Sequence, residues 1–385
     1  MTTTINNKNK KPNVPNLRFP EFQEEWEKQK FGDVATGFDY GMNAAAKPYD
    51  GENKYIRITD IDETLSTYND EDIVSPDGTL TDNYLVNERD ILLARTGAST
   101  GKSYLYKKSD GKLYYAGFLI RANVTTHKPY FVFSQLHTHR YWRWVSIMSA
   151  RSGQPGINSQ EYSSFPIYTT SIEEENKIAK LLSLLDERIA TQSKIIEDLK
   201  KLKSAISHIL FSSKCAIRLS DIANVIMGQS PSSNAYNDQG IGMPLVQGNL
   251  DISNGKTTPR LYTAEFNQTA EEGNIILTVR APVGEVAKAT KKVCLGRGVC
   301  AIIPHEGNMS DFIYQYLTFY KFMWRKYEQG STFTSINRSD VRNIPCPKVR
   351  NVSILTLLDR KINIEERVIK LYQSQKQYML CQMFI

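Results

Sequence analysis

Apolar side chains recur at alternating steps of four and three residues through the middle of the chain. The positions in this series are Ile178, Leu182, Leu185, Ile189, Gln192, Ile196, Leu199, Lys203, Ile206 and Leu210. Ser171, followed three positions later by Glu174, has the pattern of a helix-capping box, and no proline or glycine follows until Gly228. The spacing predicts a long helix over residues 171–213 that pairs with another helix through this seam.

A second series with the same spacing lies near the end of the sequence. Its positions are Leu355, Leu358, Ile362, Glu365, Ile369, Tyr372, Lys376, Met379 and Met383. Each helix alone would expose its seam, so we predict that residues 171–213 and 349–385 pair as an antiparallel coiled coil. Burying an unpaired charge is costly. We therefore expect Lys203 to lie opposite Glu365, and Gln192 opposite Lys376.

The segments before each long helix consist of short apolar runs and turn residues, and they repeat one another. Residues 15–170 and 214–348 predict two mixed strand-and-helix domains, preceded by a polar arm over residues 1–14. Four segments recur in order: residues 31–35 at 219–223, 90–95 at 274–280 with one residue added, 157–158 at 336–337, and 184–189 at 357–362. The predicted fold class is α+β, a pseudo-two-fold internal repeat with two related domains separated by two long antiparallel helices.

Composition narrows the class of protein. The 385 residues carry a formal net charge of +7 and are 41% hydrophobic, which suits folded cores and a polyanionic partner. The five cysteines have no close-paired spacing, which favours free thiols in a reducing cytoplasm. Neither an apolar leader nor a run of about 18 apolar residues occurs. We therefore expect a cytoplasmic protein that does not span a membrane.

The order domain, helix, domain, helix resembles the specificity subunit of type I restriction–modification systems. The matching segments are residues 15–22 with Trp26, 31–35, 90–103, 153–158 and 184–189, together with their second copies. The resemblance implies two target-recognition domains, each reading one half of a split site in double-stranded DNA. It also implies that the helices act as a spacer and bind two methyltransferase subunits, which restriction and translocase subunits join.

The same resemblance places the chemistry on partner subunits. The methyl donor S-adenosylmethionine, ATP and Mg²⁺ are expected there, and this chain is expected to bind no cofactor and no metal. An Asn/Asp-Pro-Pro-aromatic segment, which amino-methyltransferases need, does not occur, and the five histidines are scattered. The sequence therefore predicts no catalytic residue. Two alternatives stay open: a subunit of a methylation-only complex, and a coiled-coil scaffold that does not bind DNA.

Residues 97–103, with the sequence GASTGKS, are similar to a phosphate-binding loop. Only three residues separate the two glycines where that loop has four, and the following residues predict a strand instead of the required helix. Nucleotide binding is therefore disfavoured. The segment is either a plain hairpin turn or a hairpin that contacts DNA, in which case the donors are Arg95, Thr96, Ser99, Thr100 and Lys102.

Polar, glycine-containing loops precede both long helices. They are either turns in which Asn and Ser side chains cap backbone groups, or further contacts with DNA. The candidates in these loops are Gln154, Asn158, Ser331, Thr332 and Asn337. In the second domain we add Gln247, Asn249 and Arg280 as candidate DNA-binding residues, with Arg280 predicted to be the counterpart of Arg95.

Overall fold

The computed structural model describes residues 13–150, 154–212, 215–326, 335–348 and 351–385. The chain forms two compact units. Unit 1 contains Met1–Ser193 and Arg367–Ile385, and unit 2 contains Lys194–Glu366. Each unit therefore combines one strand-rich segment with part of each long helix.

Unit 1 is built on a four-stranded antiparallel sheet in the order β2-β9-β6-β7, flanked by three two-stranded sheets, β1-β10, β3-β5 and β4-β8. Its elements are β1 (Glu27–Lys30), α1 (Phe31–Val34), β2 (Ala35–Tyr40), β3 (Ala45–Pro48), β4 (Lys54–Ile56), β5 (Val74–Asp77), β6 (Asp90–Ala94), β7 (Ser103–Leu105), β8 (Leu113–Tyr115), β9 (Leu119–Val124), α2 (Pro129–Gln135), α3 (His139–Met148), α4 (Ser159–Ser163), β10 (Pro166–Thr169) and the first part of α5 (Ile172–Phe211). Strand β6 is buried along its whole length, as its continuous apolar run predicts.

Unit 2 contains a six-stranded sheet, β12-β22-β19-β20-β16-β15, a five-stranded sheet, β13-β17-β14-β21-β18, and the pair β11-β23. Its elements after the end of α5 are β11 (Cys215–Arg218), β12 (Ala223–Met227), β13 (Tyr236–Asn237), β14 (Met243–Val246), β15 (Ile252–Ser253), β16 (Lys256–Thr257), β17 (Leu261–Thr263), β18 (Thr269–Ala270), β19 (Ile275–Thr278), β20 (Val286–Lys288), β21 (Val293–Leu295), β22 (Val299–Pro304), α6 (Ser310–Tyr320), α7 (Arg338–Arg342), β23 (Pro345–Pro347) and the first part of α8 (Ser353–Gln382).

Within each unit the two long helices run antiparallel. In unit 1, Leu182 and Leu185 of α5 share a buried cluster with Leu380 and Met383. In unit 2, Ile206 and Leu210 of α5 pack against a cluster that contains Leu355 of α8. Every residue of the predicted seam is buried or half-buried: Leu185, Ile189, Gln192, Ile196, Leu199, Lys203, Ile206, Leu358, Ile362, Glu365, Ile369, Tyr372, Lys376 and Met379.

The predicted pairing of Lys203 with Glu365 is wrong, and that of Gln192 with Lys376 stays a prediction. The Lys203 ammonium forms an ion pair with Asp359 at 2.6 Å, and the Lys376 ammonium forms one with Asp186 at 2.5 Å. Glu365 pairs with Lys361, which lies on the same helix, α8. The reason is the length of the lysine side chain. Its flexible stem can lie along the seam while the ammonium group reaches a carboxylate beside it, so a lysine does not need an acid directly opposite.

Exchanging the two charges of the Lys203–Asp359 ion pair should restore part of the stability that each single change removes. Lys203→Asp and Asp359→Lys should each destabilise unit 2, and the double variant should recover about 1 kcal/mol of the summed loss, because the exchanged charges attract again. Urea unfolding of the four proteins measures this coupling. The matched control is Lys203→Glu with Glu365→Lys, for which we expect no recovery. Equal recovery in the two double variants would contradict the observed pairing.

The central strands show which residues of the two copies are equivalent. Ala94 pairs with Leu119, and Thr278 pairs with Val299. One residue further on, the N–H of Arg95 donates to the carbonyl of Phe118, and the N–H of Val279 donates to that of Gly298. Arg95 is therefore equivalent to Val279, and Arg280 is equivalent to Thr96. The predicted pairing of Arg95 with Arg280 is corrected, because these strands align without the added residue.

Candidate nucleic-acid interface

In unit 1, two polar loops join at the end of the central strand β6. Thr96 forms an isolated bridge with Gly156, the N–H of Gly97 donates to Pro155 at 3.0 Å, and the N–H of Ile157 donates to Arg95 at 2.9 Å. These backbone bonds bring the 95–102 turn and the 154–158 loop into one surface. The candidates Arg95, Thr96, Ser99, Thr100, Lys102, Gln154 and Asn158 thereby belong to one region.

The Arg95 guanidinium is held in place at this surface. Its carbon lies 4.9 Å from the ring centre of Tyr40 and 6.0 Å from that of Phe118, and its Nε donates to the Gly117 carbonyl at 3.1 Å. Both rings are exposed. The Tyr40 hydroxyl accepts the Ser159 N–H, and this hydrogen bond lowers the pKa of Tyr40. Stacking and one hydrogen bond orient the guanidinium, and its two terminal nitrogens have no partner among the described residues.

Several other candidates use their polar atoms inside the protein. The Thr100 hydroxyl donates to the Gly97 carbonyl at 2.8 Å, and the Lys102 ammonium pairs with Glu63 at 2.6 Å. Residues 97–99 form a single 3-10 turn that strand β7 follows, so the helix that a phosphate-binding loop requires is absent from this described segment. The loop is a hairpin connection, as the glycine spacing predicts.

Asn158 and Asn337 are helix caps. The Oδ1 of Asn158 accepts the N–H of Glu161 at 2.9 Å, and the Oδ1 of Asn337 accepts that of Asp340 at 3.0 Å. In each helix an acidic side chain three residues later accepts the backbone N–H of the asparagine, and the two bonds together form a capping box. The capping alternative therefore accounts for these two residues, and contact between them and DNA stays a prediction. Ser331 and Thr332 lie outside the described residues.

In unit 2, the candidates Gln247, Asn249 and Arg280 line one open cavity of about 530 Å³. Three further lining residues were missed by the sequence analysis: Ser230, Arg260 and Arg297. They have no distinctive local motif, and Arg297 lies in a turn equivalent to Gly117 of unit 1. Comparison of the two sequence copies therefore does not reveal these three residues.

One carboxylate organises this cavity. Asp251 is buried, its Oδ2 accepts the Gln247 N–H at 2.8 Å, and its Oδ1 accepts the Arg260 Nε at 3.1 Å. The Arg297 N–H donates to the Ser230 hydroxyl at 3.0 Å. Three arginines and one aspartate line the cavity, so its net charge is positive, and its guanidinium donors suit a ligand that presents hydrogen-bond acceptors.

Two kinds of site were not found in the part of the chain that the structure describes. No group of three His, Cys, Asp or Glu side chains there could hold a metal ion. Within the same residues, none of the helices has the length and apolar character needed to cross a membrane.

Comparison with known proteins identifies the family. The model of the type I restriction modification DNA specificity domain matches residues 23–201 and 215–371. A protein of Methanocaldococcus jannaschii, named as the specificity subunit of the type I restriction enzyme MjaX, is 27% identical over 374 residues, which is 88% of this chain and 86% of the relative.

Solved structures agree on the fold. The type I restriction–modification S subunit from M. genitalium aligns with a TM-score of 0.66 at 18% identity, covering 97% of this chain and 99% of that one. A chain from a study of the assembly and conformational transition of a type I system aligns with a TM-score of 0.58 at 21% identity, covering 93% and 97%. The family match extends over most of the sequence, so the chain belongs to the specificity subunits of type I restriction–modification systems, the non-catalytic components of those complexes.

Proposed function

We propose that this chain binds a bipartite site in double-stranded DNA, with unit 1 reading one half and unit 2 the other. The observation that carries the proposal is that equivalent positions at the strand ends bear different surface groups in the two units. Thr96 in unit 1 is replaced by Arg280 in unit 2, and Gly117 is replaced by Arg297. A common scaffold with different surface groups suits two readers of different sequences, because each base pair presents its own pattern of donors and acceptors in the major groove.

The long helices support a second part of the proposal, the recruitment of methyltransferase and restriction subunits. Leu357, Ile364, Leu371 and Tyr378 recur every seven residues on α8, and all four are exposed. A regular apolar stripe on the solvent side of a helix favours a partner that covers it. We assign it to methyltransferase subunits, which would carry S-adenosylmethionine, while ATP and Mg²⁺ would belong to restriction subunits.

The decisive experiment exchanges one of the two DNA-reading domains. Residues 218–347 are replaced by the second domain of another specificity subunit, and the methylated motif is determined by methylation sequencing of a host that contains the methyltransferase partners. We expect one half of the motif to change and the other to persist, because each unit contacts its own half-site. The reciprocal exchange of residues 27–169 is the matched control and should change the other half only.

A change in both halves after either exchange would contradict independent reading. Binding should also weaken steeply as salt rises, because contact with phosphates releases condensed counterions. A complex that methylates its motif but leaves the unmethylated DNA uncut would indicate a methylation-only system. A chain that binds no DNA with its partners present would leave only the scaffold alternative.

A further inference from the structure

Two arginines, Arg280 and Arg297, line the unit 2 cavity. Strand β19 pairs with β22 through Thr278 and Val299, and the next bond joins the N–H of Val279 to the carbonyl of Gly298. Beyond this bond the strands part: Arg280 forms a bridge with Ser335, and Arg297 lies in the turn that precedes β22. Both side chains are exposed, and neither forms a hydrogen bond or ion pair with another described residue.

Such a pair is unfavourable for folding alone. Like charges that share one cavity repel each other, so neither stabilises the fold without a counter-charge. Unit 1 avoids the pair, since its equivalent residues are Thr96 and Gly117. An unneutralised arginine pair at the mouth of a cavity is therefore explained by a ligand that supplies acceptors to both guanidinium groups.

The backbone under these arginines is fixed before any ligand arrives. The N–H of Gly296 donates to Val246 at 2.8 Å, and the N–H of Arg297 donates to the Ser230 hydroxyl at 3.0 Å. A Cβ at Gly298 would lie 2.1 Å from the carbonyl oxygen of Gln247, so the turn packs directly against the backbone of the cavity wall. A fixed backbone limits where each guanidinium can reach, which favours directional recognition over loose attraction to charge.

Geometry, more than charge, favours a base over a phosphate in this cavity. Its lining is net positive and would attract either ligand, whereas donors on a fixed backbone suit the directional acceptors of a base edge. A guanidinium matches the O6 and N7 acceptors of guanine in a bidentate geometry, which is the commonest specific contact between a side chain and a base. Arg260 is already bonded through its Nε to Asp251, so it is less available for this contact.

We propose that Arg280 and Arg297 read guanine, so that the half-site contacted by unit 2 contains at least one G·C pair recognised through the major groove. The proposal rests on the proposed function, since it assumes that unit 2 binds a DNA half-site. It assigns a base identity to that half-site and makes Arg297 a specificity-determining residue.

The test begins with the native complex of the full chain and its methyltransferase partners. Methylation sequencing defines the motif, and the exchange of residues 218–347 identifies the half that depends on unit 2. A duplex that carries this motif is then synthesised with 7-deazaguanine in place of each guanine of that half. This base lacks the N7 acceptor while every phosphate is unchanged. We expect binding to weaken about 2- to 12-fold, because the base loses one of the two acceptors of a bidentate contact worth about 5- to 150-fold in all.

Charge-preserving variants complete the test. Arg280→Lys and Arg297→Lys keep the positive charge and lose the planar pair of donors. Each should weaken binding to the motif about 5- to 150-fold while binding to random duplex changes less than about twofold. Arg342→Lys is the matched control, since Arg342 is exposed and lies outside the cavity lining, and it should bind the motif as the unmodified protein does. Circular dichroism and thermal unfolding of each variant exclude loss of folding as the cause.

The outcomes separate the two proposals. A native complex without a sequence-specific motif would overturn the proposed function. A bipartite motif whose unit 2 half lacks guanine, or is insensitive to 7-deazaguanine, would overturn only the guanine assignment. Full binding by the lysine variants would identify phosphate contacts instead of base reading, and an equal loss in Arg342→Lys would identify general damage to unit 2. Either result rejects the proposal.

Discussion

Replacing Glu174 with alanine should destabilise unit 1 by about 3–5 kcal/mol, because it leaves a buried cation without its partner. The Glu174 side chain is fully buried, and the Arg18 side chain is 9% exposed. The carboxylate accepts bonds from Arg18 Nε at 2.7 Å and Nη2 at 2.8 Å, from Trp26 Nε1 at 3.2 Å and from the Thr170 hydroxyl at 2.5 Å. The change removes every one of these acceptors at once.

Glu173 provides the matched control for this variant. It is the preceding residue of α5, carries the same side chain and is exposed. Glu173→Ala should therefore change the stability by less than about 0.5 kcal/mol. Urea unfolding compares the two variants, and hydrogen exchange of residues 13–30 and 172–182 locates the loss in unit 1. Equal stability of the two variants would show that the buried ion pair contributes little.

Glu174 also shows where sequence reasoning stops. Ser171 and Glu174 have the spacing of a capping box, and the Ser171 hydroxyl does accept the Glu174 N–H at 3.3 Å. The carboxylate, however, bonds Arg18 and Trp26, which precede it by about 150 residues in the chain. Local spacing predicts the start of a helix. It does not contain the tertiary contacts that decide which group a side chain finally meets.

The same distinction explains the long helices and the interface. Alternating steps of four and three predict the helices, because the period belongs to the helix itself. Register depends on neighbouring carboxylates such as Asp359, which lies outside the seam, so the seam alone led to a wrong pairing. Arg280 was identified from the repeat, whereas Arg297 joins it in the cavity lining only once the chain is folded. The internal repeat was a poor guide here, because the residues that would give the two units different targets are those that differ between them.

The second large effect is expected in unit 2, at the base of the interface. Trp324 is 1% exposed and contacts the Tyr320 ring edge-on, with 5.4 Å between the ring centres. A Cβ at Gly284 would lie 2.2 Å from its Cδ1, so the indole packs against the backbone of the loop that follows Arg280. Trp324→Ala removes this support and leaves a cavity in the core. We expect a loss of about 3–5 kcal/mol in unit 2.

Phe322 is the matched control for Trp324, since it lies in the same 3-10 segment, Lys321–Lys326, and is 83% exposed. Phe322→Ala should leave the stability within about 0.5 kcal/mol of the unmodified protein, because an exposed ring has little packing to lose. Urea unfolding and hydrogen exchange of residues 275–288 measure both variants. If Trp324→Ala has its expected effect, faster exchange in residues 279–284 should accompany weaker binding of the motif duplex, because the Arg280 loop then lacks its rigid base. Unchanged exchange there, with stability lost elsewhere, would mean that the indole supports the core without positioning the loop.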